Sequence, residues 1–121
     1  VDALTKDPNT NTIMFSLMSL GGAQIALMEG AGKHGHKLDG AISFVVNCKN
    51  QAEVDYYWDA LVKGGGKHSQ CGWLIDKFGV HWQIVPAELE KLMEGDKAEK
   101  VMAALLKMQK VDIAKLQQAR N

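Results

Sequence analysis

The sequence predicts an α+β fold with a C-terminal helical tail, and three stretches carry that prediction. Residues 71–86, CGWLIDKFGVHWQIVP, read as two short strands, 71–75 and 80–85, joined by the tight turn Asp76-Lys77-Phe78-Gly79. Aromatic and β-branched residues fill both strands, and Gly79 supplies the positive φ the turn needs. Residues 41–62 join the apolar run AISFVVNC to a helical stripe. After Pro86 the texture changes to short amphipathic helices. A chain of 121 residues with 46% hydrophobic and 23% charged residues suffices for one domain with a buried core.

Taken in order, residues 1–11 are polar and turn-rich around Asp7-Pro8-Asn9 and read as a mobile connection. Residues 12–20 alternate Met14, Ser16, Met18 against Ile13, Phe15, Leu17, a strand with two rather apolar faces. Gly21-Gly22 signals a hairpin, and 23–28 is the returning strand. Residues 30–40 are glycine-rich, lack an apolar period and read as an exposed loop. They contain His34 and His36, whose spacing could chelate a metal in an extended chain; the absence of a nearby acidic or cysteine cluster favours a solvated loop. Asn50 and Glu53 have capping-box spacing before a helix whose stripe is Val54, Tyr57, Trp58, Leu61 and Val62. Gly64-Gly65-Gly66 stops that helix. In the final strand Val80, Trp82 and Ile84 face one way, and His81, Gln83 and Val85 the other. Pro86 ends the ladder and suits the first turn of a helix reaching Met93. Asp96 reads as the cap of the next helix, with Val101, Met102, Leu105, Leu106 and Met108 as its apolar face. Asp112 caps the last, where Val111 and Leu116 have hydrophobic-staple spacing.

The residues Gly64-Gly65-Gly66, Gln70-Cys71-Gly72-Trp73-Leu74, Asp76, Phe78-Gly79 and Trp82-Gln83-Ile84-Val85-Pro86 also carry a family likeness. Over residues 13–116 the chain resembles the PhnB-like group labelled 3-demethylubiquinone-9 3-methyltransferase. That group belongs to the vicinal-oxygen-chelate superfamily of glyoxalases, bleomycin-resistance proteins and dioxygenases. The resemblance implies paired βαβββ modules forming a cupped mixed sheet, with the first module incomplete in this chain. By that division residues 1–40 are the end of the first module and a loop, 41–86 the second module, and 87–121 the helical tail. The resemblance also implies about 35 to 45 preceding residues, in keeping with the sheet edge and apolar face that a lone half-module would leave bare.

Catalytic members of the superfamily hold a divalent ion with His, Gln and Glu inside the cup. The resemblance puts those positions at Ala26, Ser43 and Gln83. Ala26 has no donor, Ser43 is a poor one and Gln83 is neutral, so no metal and no cofactor are expected. A large methyl donor usually occupies a doubly wound parallel sheet with a glycine-rich first turn, and the chain has too few βα units for one. The expected function is therefore a metal-free small-molecule-binding module. Its cup would be lined by Met14, Met18, Ser43, Val45, Trp73, His81 and Gln83, where adaptable methionines and flat aromatics suit a partly apolar or aromatic ligand. Two alternatives stay open: a glyoxalase-type lyase or dioxygenase with ligands in a preceding segment, and a structural or interaction protein. His68 and the serines sit in no recognisable nucleophilic motif.

Fourteen basic and fourteen acidic residues give a net charge of +0, which favours neither nucleic acid nor an acidic membrane surface as partner. Neutrality, the apolar helical tail and the superfamily's habit of pairing modules make a homodimer the expected assembly. Cys48 and Cys71 are too few for a disulfide framework and read as buried, reduced thiols in a cytoplasmic protein.

Overall fold

Alternating segments flanked by glycine become strands, and capped amphipathic segments become helices, in the computed structural model, which describes residues 1–30 and 35–121. Two compact units form, Val1–His36 and Lys37–Asn121. His34 lies outside the described residues, so the expected His34–His36 pair does too. Among the described residues no helix is long and apolar enough to cross a membrane.

The first unit is an antiparallel meander of β1 (Ala3–Lys6), β2 (Ile13–Leu20) and β3 (Ala23–Met28). Gly21 and Gly22 turn the β2–β3 hairpin with φ of +57° and +85°, the pair of positive values that a type I′ turn requires. The existence of β1 corrects the expected mobile connection. A short, weakly patterned segment becomes a strand because β2 offers it a free ladder, pairing Ala3 with Leu17 and Thr5 with Phe15. Asp7 then turns the chain, its carboxylate accepting from the Asn9 and Thr10 amides.

The second unit is built on a mixed sheet of β4 (Phe44–Cys48), β5 (Lys67–His68), β6 (Trp73–Ile75) and β7 (His81–Pro86), ordered β4-β7-β6-β5. β4 and β7 run parallel, and the other pairs are antiparallel. The connection between β4 and its parallel neighbour includes α1 (Gln51–Ala60). The Glu53 amide donates to Asn50 Oδ1 at 3.0 Å, while the Glu53 carboxylate accepts from the Lys49 amide rather than that of Asn50. Val54 and Trp58 of α1 pack on Cys48, Leu74 and Ile84, with Val46, Tyr57, Leu61, Val62 and Trp82 around them. Trp82 is half-buried, not a full core residue: its ring leans on Phe44 at 5.2 Å and its Nε1–H donates to Asp76. The polar indole edge draws it to the hairpin turn, where Asp76 also accepts from the Phe78 and Val80 amides.

In the second unit three strand starts move inward from expectation. Residues 41–43 form a turn before β4, and β7 starts at His81. Cys71 and Gly72 form a turn with φ of +58° and +82°. Their amides are drawn off the ladder to the carbonyls of Met108 and Gln109. A Cβ on Gly72 would stand 2.8 Å from the Ile84 carbonyl and 3.0 Å from a Val111 methyl, so only glycine allows this approach.

The tail comprises α2 (Glu88–Leu92), a 3-10 turn (Gly95–Lys97), α3 (Ala98–Leu105) and α4 (Ile113–Arg120). Pro86 closes β7 instead of opening α2. Asp96 does not cap α3, because the 3-10 turn absorbs it and Lys97 takes the cap position. Asp112 does cap α4, accepting from the Lys115 amide at 3.1 Å. A second core gathers Leu92, Val101, Leu105, Val111 and Leu116 against Cys71, Leu89, Met93, Ala104 and Met108. Met102 and Leu106 fall outside it and are exposed, so the apolar face of α3 is narrower than its sequence. Gln51 fastens this tail to α1: its amide donates to the Val111 carbonyl and accepts from the Ile113 amide, both at 2.9 Å. Beside it Lys110 meets Asp55 at 3.0 Å. Hydrogen bonds from Gln51 and then Lys110 hold the Asp55 carboxyl below its usual range.

Candidate functional site

One face of the second sheet is covered by α1, and the other carries most of the chemistry-bearing side chains. Strand alternation turns His81 and Gln83 away from the buried Ile84. The register sets Val45 and Trp73 on either side of Gln83, and Ile75 opposite His81. Ser43, one residue before β4, completes the row: Gln83 Nε2 donates to Ser43 Oγ at 2.9 Å. The Trp73 and His81 rings meet edge to face at 6.5 Å. Gly40 passes beside the His81 ring, where a Cβ would lie 3.5 Å away. Val45 is 51% exposed, and Ser43, Trp73, His81 and Gln83 are half-buried.

Five of the seven expected lining residues thus share one sheet face. Met14 and Met18 share a face of β2 in the first unit, with Ser16 between them. Met14 borders a shallow recess of about 260 Å³ with Ile13, Ser16, Leu27, Met28 and Glu29. Asn47 and Ile75, which alternation along β7 alone does not reach, lie by register on the Gln83 face with the expected Val85. Only the pairing of β4 and β6 with β7 brings them there.

The metal positions implied by the resemblance do not fit an ion. Ala26 stands in β3 with a methyl group. Ser43 and Gln83 are neutral and bonded to each other. Among the described residues no three His, Cys, Asp or Glu side chains converge as a metal would need. His68 is structural: its ring stacks on Trp58 with centroids 4.3 Å apart and planes 5° apart. Its Nε2–H donates to the Trp58 carbonyl at 2.7 Å, satisfying one acceptor near the C-terminal end of α1. Cys48 is a fully buried thiol, and burial followed by the Glu53 charge pushes it up to about 11, far from a nucleophile's range. Cys71, half-buried in its turn and not in a strand, is also free.

The family described as 3-demethylubiquinone-9 3-methyltransferase has a model that matches residues 2–85. Among solved structures, a PhnB protein from Bacillus cereus is similar, with a TM-score of 0.64 and 22% sequence identity over 70% of this chain and 77% of that one. At that identity the likeness shows a common fold. No curated protein matches the chain.

Proposed function

We propose a function from one premise: this chain belongs to the 3-demethylubiquinone-9 3-methyltransferase family, on the PhnB-like α+β fold. The protein is a metal-free binding module for a small, partly apolar or aromatic ligand. What carries this reading is the Ser43–Gln83 hydrogen bond on the open sheet face, beside Trp73 and His81. That bond uses one amide hydrogen of Gln83 and one lone pair of Ser43. It leaves the Gln83 carbonyl oxygen to accept and the Ser43 hydroxyl to donate. Trp73 adds a flat apolar wall. A planar ligand carrying both a donor and an acceptor matches that set.

The family's descriptive name speaks of methyl transfer. Among the described strands β4–β7 is the parallel pair, with no doubly wound sheet behind it, so the donor set favours binding over that chemistry. The same reading makes the protein a homodimer in solution, supported by its zero net charge and by the exposed Ile13, Met14, Leu27 and Met28 of the first sheet.

The test is a titration of the whole protein with small hydroxyl- and carbonyl-bearing aromatics such as catechol, 4-hydroxybenzoate and benzamide, followed by amide chemical shifts. Binding should map to β4, β6 and β7 and weaken by about ten-fold in Gln83→Leu, roughly the worth of one or two lost hydrogen bonds. Binding unchanged in both Gln83→Leu and Trp73→Ala, or about one divalent metal per purified chain by elemental analysis, overturns the reading.

A further inference from the structure

Between α3 and α4 lies an open groove of about 510 Å³ with Ala103, Ala104 and Met108 as its floor and Lys100, Lys107 and Lys115 on its rim. Among the described residues none of these three ammonium groups has a carboxylate within salt-bridge distance. The local charge is lopsided. From Lys100 to the last residue there are five bases, Lys100, Lys107, Lys110, Lys115 and Arg120, and one acid, Asp112. Lys110 is paired with Asp55, and Arg120 donates to the carbonyls of Leu92 and Glu94. Asp112 is occupied in capping α4. The three rim lysines are the cations left over, and they surround one apolar floor.

We infer that this groove is a binding site for a phosphomonoester with an apolar tail. Its volume falls within the roughly 300–1,000 Å³ of small-molecule sites. Three lysines lining one groove are matched best by a multiply charged head. A phosphomonoester brings about −1.5 to −2 charges at pH 7 and three acceptor oxygens, where a carboxylate brings a single charge. Lysine serves such a head as a point charge on a flexible stem. The side chains of the floor's alanines and methionine offer no hydrogen-bond donor and at most a weak thioether acceptor, which suits a hydrocarbon remainder of the ligand. The site shares no residue with the open sheet face and stands apart from the ligand proposed there.

The probe is decyl phosphate below its micellar concentration, titrated into the full chain by calorimetry and amide chemical shifts. The expected result is saturable binding of one molecule, with shifts confined to α3, α4 and the segment between them, weakening as salt is raised. Inorganic phosphate and decanol, the two halves of the probe, should each bind at least about ten-fold more weakly, and so should decyl phosphate to Lys100→Gln/Lys107→Gln/Lys115→Gln. If that triple variant loses its helical circular dichroism, single Lys107→Gln and the salt dependence of the native chain decide. Equal affinity in a folded variant, equal binding of decanol or decyltrimethylammonium, or shifts on the β4–β7–β6 face overturn the inference. So does a groove that takes an acidic amphipathic peptide and ignores decyl phosphate.

Discussion

Cys48 and Trp82 show how far a side chain's setting departs from its type. Cys48 is sealed beneath α1, and its thiol is raised from 9.0 to about 11 in the folded protein. A raised value means the native state keeps its proton where the unfolded chain gives it up. The thiol's contribution is therefore fully present below pH 9 and is lost as pH climbs towards 11. Urea denaturation across that range should show a steeper fall for the native sequence than for Cys48→Ala. An aromatic disulfide reagent should label Cys71 in the folded protein and reach Cys48 on unfolding. Trp82 departs in the other direction. A fully buried large aromatic costs roughly 3–5 kcal/mol on truncation, but this one is half-buried and tied to Asp76, so Trp82→Ala should cost about 2–4 kcal/mol in a urea melt. Its place on the helix-side face was legible from alternation. Its partial exposure was not, because indole chemistry at a turn is invisible to a pattern of apolar letters.

At the scale of elements, those with a strong period and a capping residue were readable, and those made by a partner were not. The β2–β3 hairpin, α1 with its Asn50 cap and α4 with Asp112 follow from their own residues. β1 and β5 exist because a neighbouring strand offers hydrogen bonds, and neither segment announces itself alone. The candidate site divides the same way. His81 and Gln83 came from alternation along one strand, whereas the Gln83–Ser43 bond joins residues forty apart and needs the parallel β4–β7 register. The end of α3 gives a sharp contrast between its last residue and its C-cap. Leu105 is 7% exposed and Leu106 is 61% exposed. Leu105→Asp should cost on the order of 3–5 kcal/mol by placing a carboxylate in the tail's core. In the isolated chain, Leu106→Asp should change stability by less than about 0.5 kcal/mol.

For the molecule as a whole, the tail's apolar face is largely buried within its own chain, so the dimer must be tested elsewhere. Sedimentation at tens of micromolar should give a dimer, and charged substitutions at Met14 and Leu27 should shift it to monomer with the secondary structure retained. A monomer throughout would remove the dimer and leave the sheet-face reading to its own test. The tail's attachment has a further consequence, in time. The turn at Cys71-Gly72 and the side chain of Gln51 both hold the segment 108–113, and the Gln51 bonds join residues sixty and sixty-two apart in sequence. Contacts of such long loop closure are formed late, after the sheet that offers them exists. Loosening them with Leu116→Ala should speed unfolding in stopped-flow chevrons and leave the refolding limb almost unmoved. The tail, residues 87–121, would then act less as part of the folding nucleus than as its latch, setting how long the sheet stays folded.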